Sequence, residues 1–77
     1  MQNIDLIKKQ AQIIVNLYNA QKFDEVVQKG KILIKKFPEQ VIFYNATSLS
    51  LSALDRDKEA LKVMKEALIN HPKNIHV

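Results

Sequence analysis

The chain has no cysteine, no tryptophan, one glycine (Gly30), two prolines and one arginine. Without cysteine, neither a disulfide nor a thiolate metal site can help to hold it together. A single glycine excludes a glycine-rich phosphate loop. Uninterrupted apolar runs, such as Ile13–Val15, fall far short of a membrane span, so no membrane partner is expected. The first residues, MQNIDLIKKQ, carry Asp5 early and lack the apolar core of a signal peptide. The expected setting is cytoplasmic. The net charge of +4 comes from eleven lysines and one arginine against eight acids. Scarce arginine argues against nucleic acid as a partner, because base edges are read best by its bidentate fork.

What remains is a helical globular composition, 47% apolar over 77 residues. That length allows one domain, 1–77, which buries only about 60–65% of its unfolded surface.

Pro38 stands 34 residues before Pro72, which directs attention to a repeat. Laying Ile7–Gln40 over Val41–Asn74 superposes Leu17 on Leu51, Glu25 on Glu59, Lys31 on Lys65 and Pro38 on Pro72. Residue class agrees more widely: Val15 falls on Leu49, Val26 on Ala60, Val27 on Leu61, Leu33 on Ala67 and Ile34 on Leu68. Each unit reads as helix, turn, helix and a proline that ends the second helix.

The second unit resembles a tetratricopeptide repeat. Tyr44 stands at its large first position, Ser48 at its small contact position, and Leu51, Ala60, Met64, Ala67 and Pro72 follow at its spacing. LDRDKEAL resembles its turn into the second helix. The first unit matches at Leu17, Phe23, Glu25 and Pro38 and departs at Gln10, Ile14, Val26, Gly30 and Leu33. The resemblance spans 7–40 and 41–74. Residues 75–77 read as the start of a third unit or a tail. It implies an all-α fold in which two antiparallel helix-turn-helix hairpins stack as a short α-solenoid, with no catalysis and no cofactor.

The spacing predicts four helices. The first runs from an Asn3 cap to about Asn19, with Leu6, Gln10, Ile13, Ile14 and Leu17 inward. The second takes Asp24 to about Phe37, with Val26, Val27, Gly30, Leu33, Ile34 and Phe37 inward. The third takes Glu39 or Gln40 to Leu54, with Tyr44, Thr47, Ser48, Leu51 and Leu54 inward. The fourth runs from Lys58 to about Asn70, after a turn at Asp55–Asp57 that offers two caps. Gly30 costs its helix about 1 kcal/mol against alanine, and Ile14 is expected to pack over it in compensation.

In the family the first helix of each hairpin lines the concave side. Here its outward residues are Lys8, Ala11, Val15, Tyr18 and Asn19 in the first unit and Ile42, Asn45, Leu49 and Ser52 in the second. Val15, Tyr18, Ile42 and Leu49 are large apolar groups that the hairpin core does not need. They suit a groove for a protein partner, presented as a peptide or helix, with Lys8, Asn19 and Asn45 fixing its backbone. Capture of a terminal carboxylate, a habit of some family members, is not expected, since Ala11, Val15 and Ala46 stand where its clamp would be.

The fourth helix carries a second apolar row, Leu61 and Leu68, continued by Ile75 and Val77. Solenoid units cover one another, so this row is expected to meet either the rest of a longer protein or another copy in a homo-oligomer. A further alternative, by analogy with fusions in the family, is the docking segment of a larger transferase.

Other constellations read as structural. Lys29, Lys31, Lys35, Lys36, Lys58, Lys62 and Lys65 are interrupted by Asp24, Glu25, Glu59 and Glu66 and read as a solvated convex face. His71 and His76 have poor spacing for a metal pair, so no metal is expected. Ser48, Ser50 and Ser52 do not share a face and have no base spaced to activate them.

Overall fold

The computed structural model describes residues 4–70. Asn3, His71, Pro72, His76, Ile75 and Val77, all given roles above, lie outside the described residues. Four helices follow in order: α1 Ile4–Asn19, α2 Phe23–Lys36, α3 Val41–Ala53 and α4 Asp57–Asn70. The fold is all-α, two helical hairpins stacked in a short solenoid-like arrangement. α3 sits at the centre, packed against α1, α2 and α4.

Each helix starts and stops for a local reason. Pro38 pushes Phe37 out of helical geometry, and the Phe37 N–H closes α2 on the Leu33 carbonyl at 2.8 Å. Gln40, in an extended conformation, precedes α3. The two hairpin turns repeat each other at a spacing of 34 residues. Gln21 and Asp55 adopt left-handed φ values of 61° and 60°. Around them the N–H groups of Gln21 and Lys22 bond to the carbonyls of Tyr18 and Leu17, and those of Asp55 and Arg56 to the carbonyls of Ser52 and Leu51. These bonds satisfy the carbonyls that a helix end leaves open. Asp55 therefore serves as the left-handed residue of the turn rather than as a side-chain cap, and Asp57 is the first residue of α4.

The α2 stripe is buried as the periodicity predicts: Val26, Val27, Gly30, Leu33, Ile34 and Phe37. On α1 the stripe is rotated. Ile7 and Ile14 are buried, with Ala11, Leu17 and Tyr18 packed beside them, while Leu6 is 40% exposed. The cause is that α1 faces both α2 and α3, so its inner line runs between them. α3 buries Phe43 and Ser50 as well as Tyr44, Thr47, Ser48 and Leu51, because a central helix is covered on more than one side. Tyr44, wholly enclosed, donates its hydroxyl to the Pro38 carbonyl at 3.1 Å and so ties α3 to the link before it. On α4 the inner line is Ala60, Val63 and Ala67.

The expectation for Gly30 is corrected. Thr47 of α3, not Ile14, covers it. A Cβ on Gly30 would overlap Thr47 Oγ1 and stand 3.1 Å from Thr47 Cβ. Thr47 Oγ1 is held in place by donating to the Phe43 carbonyl at 2.6 Å. The glycine is thus the seat of the next hairpin, and its helical cost is offset by the closeness of α2 and α3.

α4 is tied to α2 through charge as well. Arg56 donates Nε to Glu59 Oε2 at 2.6 Å and Nη2 to Oε1 at 2.8 Å, and Lys31 Nζ lies 3.8 Å from Oε1. The Arg56 hydrogen bonds, aided by Lys31, hold the Glu59 carboxyl below its ordinary pKa. This pairing is present at neutral pH and is lost as pH falls through that lowered value.

Gly30→Ala is expected to destabilise the protein by up to about 2 kcal/mol, because overpacking (about 1–3 kcal/mol) matches or exceeds the helical gain of about 1 kcal/mol. In a Thr47→Ala background the same change should be neutral or stabilising. Urea unfolding of the four proteins of this cycle reads the non-additivity.

Candidate functional site

α1 and α3 lie side by side, and the line between them is open to solvent on one flank. Val15 and Tyr18 from α1 meet Ile42, Asn45, Ala46 and Leu49 from α3 around a shallow depression of about 180 Å³. The floor follows from sequence spacing. Ile42, Asn45 and Leu49 recur at intervals of three and four and so share one face of α3, while Phe43, Thr47 and Ser50 are buried against the rest of the protein. Val15 and Ile42 are each 37% exposed and Leu49 is 54% exposed. Tyr18 is half-buried and held by Phe23, ring edge to ring face at 5.5 Å.

The depression is nearly all apolar, and Asn45 is among the residues that line it. Its volume is below the roughly 300–1,000 Å³ of small-molecule pockets. It has room for one or two apolar side chains.

Of the residues expected on this surface, Val15, Tyr18, Ile42, Asn45 and Leu49 come together. Lys8 and Asn19 are exposed on α1 but do not line the depression, and Ala11 is half-buried against the core. Ser52 belongs to a neighbouring groove between α3 and α4, shared with Leu49, Leu61 and Met64. Ala46, which stands between the two apolar flanks, was marked in the sequence only as a residue unsuited to binding a carboxylate. Its small size at that spacing leaves the depression open.

Leu61 and Leu68 are exposed on α4, at 56% and 49%. Another apolar surface was not foreseen. Leu6 and Ile32, with Lys29 and Lys36, border a cleft between α1 and α2 at the opposite end of the stack. Ile32 lies outside the α2 core stripe and is 58% exposed, an apolar residue out of register that could have signalled this face.

The other constellations resolve into structure. Lys31, Lys35 and Lys62 share the α2–α4 groove with Glu59 and Glu66, so the lysine-rich face is of mixed charge there. Ser48 Oγ lies 3.1 Å from the Asn45 carbonyl and 3.2 Å from Met64 Sδ. The Ser50 hydroxyl is buried and has no hydrogen-bond partner among the described residues. No cluster of three or more histidine, cysteine, aspartate or glutamate side chains among the described residues could hold a metal ion. No described helix is long and apolar enough to cross a membrane.

Comparison with protein-family models, with curated proteins and with solved structures gives no match.

A surface residue contributes little to folding. Ile42→Ala and Leu49→Ala are each expected to change stability by less than about 1 kcal/mol, whereas Leu51→Ala, wholly buried on the same helix, should cost about 2–5 kcal/mol. Thermal or urea denaturation separates the two classes.

Proposed function

We propose that the chain is a tetratricopeptide-type interaction module, without catalytic activity, that holds a peptide or helix of a protein partner on the α1–α3 face. The observation that carries this reading is the convergence of Val15, Ile42 and Leu49, exposed and outside the core, with the half-buried Tyr18 around one open depression. Exposed apolar groups gathered on one face favour a partner that brings its own apolar anchors. Tyr18 offers a large, braced contact at low entropic cost, and Asn45 can bond a partner's backbone at the rim. Lys8 and Asn19 lie farther along α1 and would meet only a longer ligand. The 34-residue match of the two units, from the shared glutamates and prolines to the paired left-handed turns, supports placement among tetratricopeptide repeats.

Self-association is the second reading, favoured by the exposure of Leu61 and Leu68 on α4. It uses a different face and is compatible with the first.

Peptides selected from a displayed random library on the wild-type protein test the groove. Those that bind should carry two or more large apolar residues, shift the amide resonances of Val15, Tyr18, Asn45 and Leu49, and lose at least tenfold in affinity to Leu49→Asp. Binders that tolerate both Leu49→Asp and Ile42→Asp, or that shift resonances elsewhere, would overturn the assignment.

A further inference from the structure

The junction between the two hairpins shows what kind of surface covers a hairpin of this protein. In the first hairpin, Val27 and Ile34 are buried beneath the second, and Lys31 reaches across to Glu59 at 3.8 Å. Shifted by 34 residues, the same places are Leu61, Leu68, Lys65 and, on the incoming side, Glu25. Leu61 and Leu68 are half-exposed, and Lys65 is exposed beside them. Glu25 is exposed on α2, with the similarly exposed Lys22 at 4.0 Å.

We propose that one copy of this chain stacks on another head to tail, the α4 end of the first receiving the α1–α2 end of the second, so that Lys65 of one copy pairs with Glu25 of the next as Lys31 pairs with Glu59 within the chain. Two of the four identities between the units are the residues that make this pair. The apolar residues agree with it. Lys35 and Glu66 border the internal α2–α4 groove. Their counterparts at the junction between copies are Ile69 and Ile32, 79% and 58% exposed in the single chain. A charged pair of places inside the chain thus becomes an apolar pair between chains, and each of those isoleucines lies at the end of the stack that the proposal brings together.

Charge also speaks against the simplest alternative, a two-fold pairing of α4 with its own copy. Leu61, Lys65 and Leu68 lie on one stripe, with Lys65 between the leucines. A two-fold axis through that stripe sets Lys65 against Lys65, whether the helices run parallel or antiparallel. A head-to-tail contact sets it against a carboxylate. The junction is looser than the internal one, because Met64 stands in the place of Gly30 and Lys9 in that of Phe43. Association is therefore weak, with a dissociation constant on the order of 10–1,000 μM. Stacking would extend the α1–α3 face from copy to copy, yet it uses other residues, so either reading can fail without the other.

Sedimentation equilibrium of the wild type, of Ile32→Glu and of Leu68→Glu, alone and mixed, is the test. Both substituted residues are exposed, and circular dichroism checks that each variant keeps its helices. The wild type should gain mass with concentration, and each variant alone should remain monomeric. An equimolar mixture should form a 1:1 dimer and nothing larger, since Ile32→Glu keeps an intact α4 end and Leu68→Glu an intact α1–α2 end. A wild type that stays monomeric at millimolar concentration would overturn the proposal. An Ile32→Glu variant that dimerises as the wild type does would overturn it too, in favour of two-fold pairing through α4.

Discussion

The close approach of α2 and α3 at Gly30 sets the geometry of everything else. A side chain there would overlap Thr47, so the absence of one fixes how deeply the second hairpin settles on the first. That depth buries Phe43, Tyr44 and Leu51 and brings Phe37 and Phe43 to 6.1 Å between ring centres. A chain of this size has a small core, so a helix that sat even slightly farther out would lose contacts it cannot replace. The cost of a glycine in a helix is carried on this joint.

The same joint determines which surfaces are left over. α3 is covered by α2 on one side and α4 on another, which leaves Ile42, Asn45 and Leu49 as its open flank beside Val15 and Tyr18 of α1. At the α4 end, Leu61 and Leu68 stand in places that, at the internal junction, are covered: those of Val27 and Ile34. Under the proposed reading, function is a matter of which face is left without a neighbour.

Much of this was legible in the sequence. The four helices fall within one or two residues of their expected bounds, because proline, the paired turns and the spacing of apolar residues mark each end. The α2 stripe was fully readable, since that helix has one inner line. α1 and α3 were read less well for a single reason: a helix that touches two neighbours has a wider buried arc than one amphipathic stripe. Ile7, Phe43 and Ser50 fall in that arc, and Leu6 falls outside it. The residue facing Gly30 was misplaced because an unusual glycine announces a close approach without saying from which helix. Within the candidate groove, the apolar residues at three- and four-residue spacing came together, while Lys8 and Asn19, assigned by position along the helix alone, did not.

Native-state hydrogen exchange tests the dependence of the fold on the α2–α3 joint most directly. If the joint holds the two hairpins in one cooperative unit, the slowest amides of α2 and α3 will exchange with the same free energy, equal to that of global unfolding. If the slowest amides of α1 and α2 exchange at a free energy distinct from those of α3 and α4, the hairpins open separately, and the joint at Gly30 does not govern the structure.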